Sequence, residues 1–368
     1  MSWTIEAAHL QEASRAVGAH ALRTALVPAP QLGPNVWLKL ETEQRTGSFK
    51  VRGALARLAA LTPEERAKGV VAASAGNHGL GVAFAAKTLG IEARVFVPRD
   101  APMVKREGIA RHGARVEVMD EPGYDAAEQR ARAAVANTGE VFVSPYDDPW
   151  VAAGNGGTLA AEVFDQLTDV GAFVLPVGGG GLLAGIAAAI RHQGESAELI
   201  GVQSESSPAM TRSLAEGKAY ETWDPEPTFA EGLEGGVAAG SVERAKAAGV
   251  QMHLVSEAAI AEAMRFASAK LGLRVEGSAA APIAHLMANP PALGSATVVV
   301  VCGKNVDERI WRAVMAGESD PTRARSAGPA MQPEPAADVA ETPESESESA
   351  SGSESESESE SESESEDR

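Results

Sequence analysis

The chain has 368 residues and a formal net charge of −19, long enough for two domains that share a sizeable core. Residues 333–368 carry −13 of that charge, which leaves −6 for residues 1–332 and no basic stripe of the kind nucleic acid or an anionic membrane surface requires. The single cysteine, Cys302, excludes an internal disulfide framework, and the N-terminus lacks a basic region followed by an apolar run, so the expected location is the cytoplasm.

Residues 4–17 read as an amphipathic helix capped by Thr4, followed by a connector from Val27 to Pro34 and a strand at Asn35–Glu41. Thr46-Gly47-Ser48 then turns the chain into a helix that carries Lys50. A regular alternation follows. Strands are expected at Val70–Ala73, Arg94–Val97, Val116–Met119 and Glu140–Val143, with helices at His78–Leu89, after Pro102 and at Tyr124–Ala136. A second series starts after Asp147-Asp148-Pro149, with a helix over Trp150–Leu167, strand Ala172–Val177, helix Leu182–His192, strand Leu199–Gln203 and a helix from Pro208 to Glu216. Residues 218–240 read as irregular. Strand Val250–Val255, a helix capped by Ser256, a helix over Ser278–Met287, strand Ala296–Val301 and a helix from Val306 complete the body.

Residues 172–190 are uncharged over the length of a membrane span, but Pro176 and Gly178–Gly181 in the middle argue for a buried strand, a tight loop and an apolar helix instead. Strands alternating with helices predict an α/β protein with parallel sheets covered on both faces. The two series predict two such domains with a cleft between them. The Ser-Glu alternation near the C-terminus cannot bury a core and repels itself, so 319–368 is expected to be a disordered acidic tail.

Four consecutive glycines, Gly178–Gly181, between a buried strand and a helix aim backbone N–H groups and a helix dipole at one point, a seat for an anion such as phosphate. They match neither a P-loop nor a dinucleotide fingerprint, and a plain turn needs only one or two glycines. Ser74-Ala75-Gly76-Asn77-His78-Gly79 occupies the equivalent junction of the first series, with side chains and N–H groups suited to a carboxylate, and an Asn77 amide suited to a ring oxygen. Cys302-Gly303-Lys304-Asn305 ends the last strand at the side of a parallel sheet where ligands gather. A lysine, a phosphate seat and a carboxylate site together fit pyridoxal phosphate acting on amino acids.

Over about residues 5–315 the chain resembles the type II pyridoxal-phosphate enzymes, of the tryptophan synthase beta-like fold, and among them the serine/threonine dehydratases. Gly47-Ser48-Phe49-Lys50-Val51-Arg52-Gly53-Ala54, Ser74–Gly79 and Gly178–Gly181 carry the resemblance, with Pro145–Pro149 and Val275–Ser278 as weaker support. It implies two three-layer domains: 1–48 with 147–318 as the large cofactor-binding domain, and 49–146 as the small one. It implies that Lys50 joins the cofactor as a Schiff base, Phe49 packs on the ring face, Asn77 meets the ring hydroxyl and Cys302 stands beside the pyridine nitrogen. Gly178, Gly179, Gly180 and Gly181 would hold the phosphate, and Ser74, Asn77 and His78 the substrate carboxylate. The activity implied is elimination of the β-hydroxyl of L-threonine or L-serine, with Lys50 removing the Cα proton, to a 2-oxo acid and ammonia. A homodimer is also implied.

The departures narrow the choice. Ala75 replaces the serine with which serine racemases protonate the second face, and so disfavours racemisation. Gln203 stands where many relatives use Glu for a divalent or monovalent cation, so the metal site is unknown. Asn155 replaces a usual Gln. Lys304 replaces a usual Gly, as either a charge at the cleft mouth that selects substrate or an exposed surface lysine. Ala230-Glu231-Gly232-Leu233 is also similar to dehydratase-like enzymes of hydroxyectoine breakdown, the rival reading.

Overall fold

The computed structural model describes residues 3–99, 101–120 and 124–326. Helix α1 (Ala7–His20) and strands β1 (Leu26–Pro28) and β2 (Val36–Leu40) lead to α2 (Lys50–Ala59) and the short α3 (Pro63–Lys68). The first alternating series is β3 (Val70–Ala73), α4 (Asn77–Leu89), β4 (Ala93–Val97), α5 (Met103–Arg111), β5 (Arg115–Val118), α6 (Tyr124–Thr138) and β6 (Val141–Phe142). Helix α7 (Pro149–Ala152), a π-helical turn over Ala153–Gly157 and α8 (Thr158–Gln166) lead to the second series. It runs through β7 (Val170–Pro176), α9 (Gly181–Gln193), β8 (Glu198–Ser204), α10 (Ala209–Glu216), α11 (Ala239–Ala247), β9 (Gln251–Val255), α12 (Glu257–Leu271) and α13 (Gly277–Ala288). Strand β10 (Ala296–Val301), α14 (Glu308–Met315) and α15 (Pro321–Ser326) follow.

Two sheets result. One has the order β1-β2-β10-β7-β8-β9, parallel except for the β1–β2 pair, and the other has the all-parallel order β5-β4-β3-β6. Strands β3 and β10 are buried along their whole length, as the predominantly apolar runs Val-Val-Ala-Ala and Ala-Thr-Val-Val-Val-Val require in sheets covered on both faces. The larger core gathers Phe173, Leu175, Leu183, Val202, Ile283 and Val299; the smaller gathers Val51, Leu55, Leu58, Val82, Val95 and Ile109. Helix α2 belongs to the second core and packs on α4 and on the π-turn, so the lysine at its start lies where the two sheets meet. Residues 172–190 resolve into strand, loop and helix, and among the described residues no helix is long and apolar enough to cross a membrane.

Several boundaries differ from expectation for physical reasons. Helix α1 starts at Ala7 rather than Thr4, because Glu6 takes the cap position and its N–H donates to His9 Nδ1 at 3.0 Å. The connector at Val27–Pro34 contains β1, whose Pro28 is tolerated at the sheet edge. The helix expected over Trp150–Leu167 is interrupted by the π-turn, and the irregular stretch 218–240 gives way to α11 at Ala239. The acidic tail expected from 319 begins too early: α15 buries Pro321 and Ala324, and Arg325 donates to the Thr228 carbonyl at 2.8 Å. Residues 327–368, with the Ser-Glu alternation, lie outside the described residues.

Candidate active site

The segment before Lys50 is stitched to the end of β10. Ser48 and Gly303 form an isolated antiparallel bridge, the Phe49 N–H donates to the Cys302 carbonyl at 3.0 Å, and the Lys304 N–H donates to the Gly47 carbonyl at 3.0 Å. Phe49 holds the N-cap position of α2 and Lys50 is its first residue. The Lys50 Nζ lies 5.2 Å from the centre of the Phe49 ring and donates to the Pro145 carbonyl at 2.8 Å. No carboxylate among the described residues is bonded to it. Burial therefore lowers its pKa to about 8, with Cys302 and Glu276 pulling weakly the other way.

Gly178–Gly181 join β7 to the N-terminus of α9, a helix of 13 residues with no acidic residue in its first turn. Gly180 caps the helix at φ +87°, a conformation that favours glycine. The Tyr146 ring is seated on the loop: a Cβ at Gly179 would lie 2.3 Å from the ring, and one at Gly181 would lie 2.9 Å from Tyr146 Cα. Pro145 and Tyr146 thus touch the lysine and the glycine loop together, on the crossover from β6 to α7. Asp147, the next residue, accepts from Trp3 Nε1 at 2.8 Å and from Arg244 at 2.9 Å, which pins the crossover.

Ser74 and His78 flank the N-terminus of α4. The Ser74 Oγ accepts from the Gly76 N–H at 3.1 Å, a local turn that leads into the helix. The His78 side chain is buried and bonds the backbone rather than a carboxylate. Its Nε2 donates to the Val143 carbonyl at 2.9 Å, and burial, with Lys50 adding to it, lowers its pKa to about 3, so the ring is neutral. Of the His78 groups assigned to carboxylate binding, the backbone N–H is the one that remains.

Asn77 Nδ2 donates to both oxygens of Glu276, at 2.9 and 3.0 Å, while its Oδ1 accepts from Asn305 Nδ2 at 2.7 Å. Glu276 also accepts from the Asn305 N–H at 3.1 Å and lies 3.9 Å from Cys302 Sγ. Burial first, and then the Glu276 charge, hold the Cys302 thiol well above its ordinary pKa, so it is protonated and uncharged. The structure brings Lys50, Phe49, Asn77, Cys302 and the glycine loop to one cleft. Glu276, Asn305 and Tyr146 complete it and had no role in the sequence reading beyond membership of a motif.

The three remaining departures have distinct surroundings. Asn155, in the π-turn, accepts from the Gly53 N–H at 2.9 Å and so satisfies a first-turn donor of α2. Lys304 is exposed and serves through its backbone. Gln203 does not fit a cation. Its Oε1 already accepts from the Thr211 N–H and hydroxyl, both at 2.9 Å, which leaves the buried Nε2 donor facing inward without a partner. Among the described residues no group of three His, Cys, Asp or Glu side chains is placed to hold a metal ion.

A lysine whose proton is loosely held, a side-chain-free loop on a helix N-terminus and a neutral thiol at the end of a parallel strand fit pyridoxal phosphate as a resident group. They define the class: a lysine-anchored enzyme of amino-group chemistry. Residues 17–303 match the family described as pyridoxal-phosphate dependent enzyme, and the chain belongs to that family. It is 39% identical over 306 residues to an L-threonine ammonia-lyase of Thermotoga maritima, covering 81% of this chain and 75% of that one. Its fold matches the processed form of threonine deaminase isoform 2 from Solanum lycopersicum with a TM-score of 0.77 and 30% identity, over 86% of this chain and 96% of that one. Maize serine racemase matches with a TM-score of 0.77 at 26% identity, over 86% and 98%.

Proposed function

We propose that this pyridoxal-phosphate-dependent enzyme is an ammonia-lyase that removes water from L-threonine or L-serine and yields the 2-oxo acid and ammonia. The observation that carries the reading is the Lys50 amine, desolvated and bonded to a carbonyl rather than a carboxylate, opposite a thiol that stays uncharged. Pyridoxal phosphate, when bound, supplies the sink for the electrons of the broken Cα–H bond. The amine of Lys50, unprotonated above about pH 8, takes the Cα proton. The N–H groups after Ser74 hold the substrate carboxylate, and Gly178–Gly181 with the start of α9 hold the phosphate. Loss of the β-hydroxyl, which with the proton taken from Cα makes up one water, leaves an enamine, which adds water and releases ammonia and the 2-oxo acid. Cys302, neutral, would not supply a proton to the cofactor ring, and loss of a β-hydroxyl would not need one. Ala75 offers no acid for the opposite face, which supports elimination over racemisation.

The strand membership of the two sheets supports domains at 1–48 with 147–318 and at 49–146. The resemblance supports a homodimer, which light scattering of the purified protein tests, and the single cysteine supports a cytoplasmic location. The substrate assignment is tested by measuring 2-oxo acid and ammonia from L-threonine, L-serine and hydroxyectoine in parallel, with D-serine followed by chiral chromatography. Equal amounts of 2-oxo acid and ammonia from threonine or serine are expected; turnover of hydroxyectoine alone, or D-serine as the main product, would overturn it.

A further inference from the structure

Glu276 lies at the centre of a polar latch that crosses the cleft. Asn77 is the first residue of α4, which follows β3 of the four-stranded sheet, whereas Glu276 and Asn305 belong to the loops before α13 and after β10 of the six-stranded sheet. The carboxylate accepts on both oxygens and has only donors around it: Asn77 Nδ2 at 2.9 and 3.0 Å, the Asn305 N–H at 3.1 Å and, more weakly, the Cys302 thiol at 3.9 Å. Asn305 closes the circuit through its own amide, which donates to Asn77 Oδ1 at 2.7 Å and to the Thr46 carbonyl at 2.8 Å, two residues before Ser48. The fit is tight on its remaining side, since a Cβ at Gly303 would approach the carboxylate to 2.9 Å. Both ends of the Asn77 amide are therefore fixed; the two Glu276 oxygens, at nearly equal distances, share one Nδ2 hydrogen and leave the other for a ligand.

We infer that Glu276 is a positioning residue: with Asn305 it locks the Asn77 amide across the cleft and makes the electronic state of the bound cofactor depend on pH. The inference rests on the reading of this cleft as the pyridoxal-phosphate site. A carboxylate is required because both neighbours donate. A proton on either oxygen, or the amide nitrogen of a glutamine, sets a donor against a donor. Burial raises Glu276 to a pKa of about 7, with the Asn77 and Asn305 hydrogen bonds opposing it. The titratable groups facing it are Lys50, Cys302, Glu231 and Lys105. Above about pH 7 the latch is complete; below it the latch loses an acceptor and Asn77 is freed to turn.

The test is a pH titration of the absorbance and fluorescence of the bound cofactor in the substrate-free holoenzyme, on the wild type, Glu276→Gln, Glu276→Asp and Asn305→Ala. The wild type is expected to change band shape with a midpoint near 7, and Glu276→Gln to lose that transition while borohydride still fixes the cofactor to Lys50. Glu276→Asp is expected to keep the transition with a displaced midpoint, and Asn305→Ala to alter the band while still titrating. A loaded wild type with no transition near 7, or a Glu276→Gln enzyme that keeps it, overturns the inference. The wild-type titration decides the matter alone if the variants do not fold. A protein that takes up no cofactor fails the parent reading instead, so the two failures are distinguishable.

Discussion

Lys50 and Arg52 leave the first turn of α2 two residues apart and meet opposite surroundings. Arg52 is fully buried and spends its whole fork. It bonds Glu41 at 2.8 and 2.8 Å and Glu162 at 2.7 and 2.9 Å, and reaches Thr158 and the Leu22 carbonyl. Lys39 shares Glu162 at 2.7 Å and also bonds the Thr24 carbonyl and Gln166. Burial works against the Arg52 charge, but Glu41 and Glu162 more than offset it, so its pKa is raised. Lys50 has one carbonyl and no carboxylate, and burial prevails. A buried cation with every donor paired is a fixture that ties α2 to β2 and α8. A buried amine without a counter-ion is a reagent. The polar atoms near the second are correspondingly underused: Thr46 Oγ1, Ser48 Oγ and His78 Nδ1 are buried without a protein partner.

The contrast is broken most severely at its reactive end. Lys50→Ala is expected to lower kcat/KM for threonine by at least about a thousandfold, the upper range for loss of a general base. The same change in melting temperature should be small. Arg52→Met should do the reverse, stranding Glu41 and Glu162 at a cost of about 3–5 kcal/mol, measured by urea unfolding of the holoenzyme. A loss below about 1 kcal/mol would mean the network is not the anchor of α2. His78 sharpens the pH side. Its pKa falls from 6.5 to about 3 on folding, so the unfolded chain binds the extra proton, and stability is lost as pH drops through that window. His78→Gln should remove up to about 1.4 kcal/mol per pH unit of that acid slope, read from unfolding curves. Gly179→Ala drives a methyl into the Tyr146 ring and should weaken cofactor affinity roughly tenfold, about 1.4 kcal/mol, with partial recovery when Tyr146→Ala is added. Lys304→Ala should shift stability by less than about 0.5 kcal/mol and kcat/KM by less than about twofold, because the side chain is exposed. A larger change in substrate preference would make the charge at residue 304 a selector.

Much of this contrast was visible in the sequence at one end only. The strands were legible because each is a short apolar run bounded by turn residues: Val70–Ala73 falls where expected, and β7 is offset from Ala172–Val177 by two residues at its start. The π-turn was not. Its glycines are required by the approach of three helices: a Cβ at Gly154 would lie 2.6 Å from the Arg52 carbonyl of α2, one at Gly156 2.1 Å from the Leu182 carbonyl of α9 and one at Gly157 2.4 Å from Leu10 of α1, and no local pattern encodes those contacts. Lys50 and the glycine loop stand out because their neighbours in sequence are unusual. Glu276 meets Asn77 across 199 residues, Tyr146 meets Gly179 through space, and Arg52 finds Glu162 across 110, so ordinary-looking residues acquire their roles only from the fold. Asn77 is half legible: the sequence places it at the strand-to-helix junction, one residue before the expected helix start, but does not reveal the carboxylate that holds its amide.

Lys50 is the reagent among the buried cations, and borohydride reduction of the holoenzyme followed by peptide mass mapping tests this most directly. The predicted result is pyridoxyl label on the peptide carrying Lys50 and none on Lys39, whose amine is committed to Glu162. Label at Lys39 or another lysine, or a protein that binds no cofactor, would contradict it.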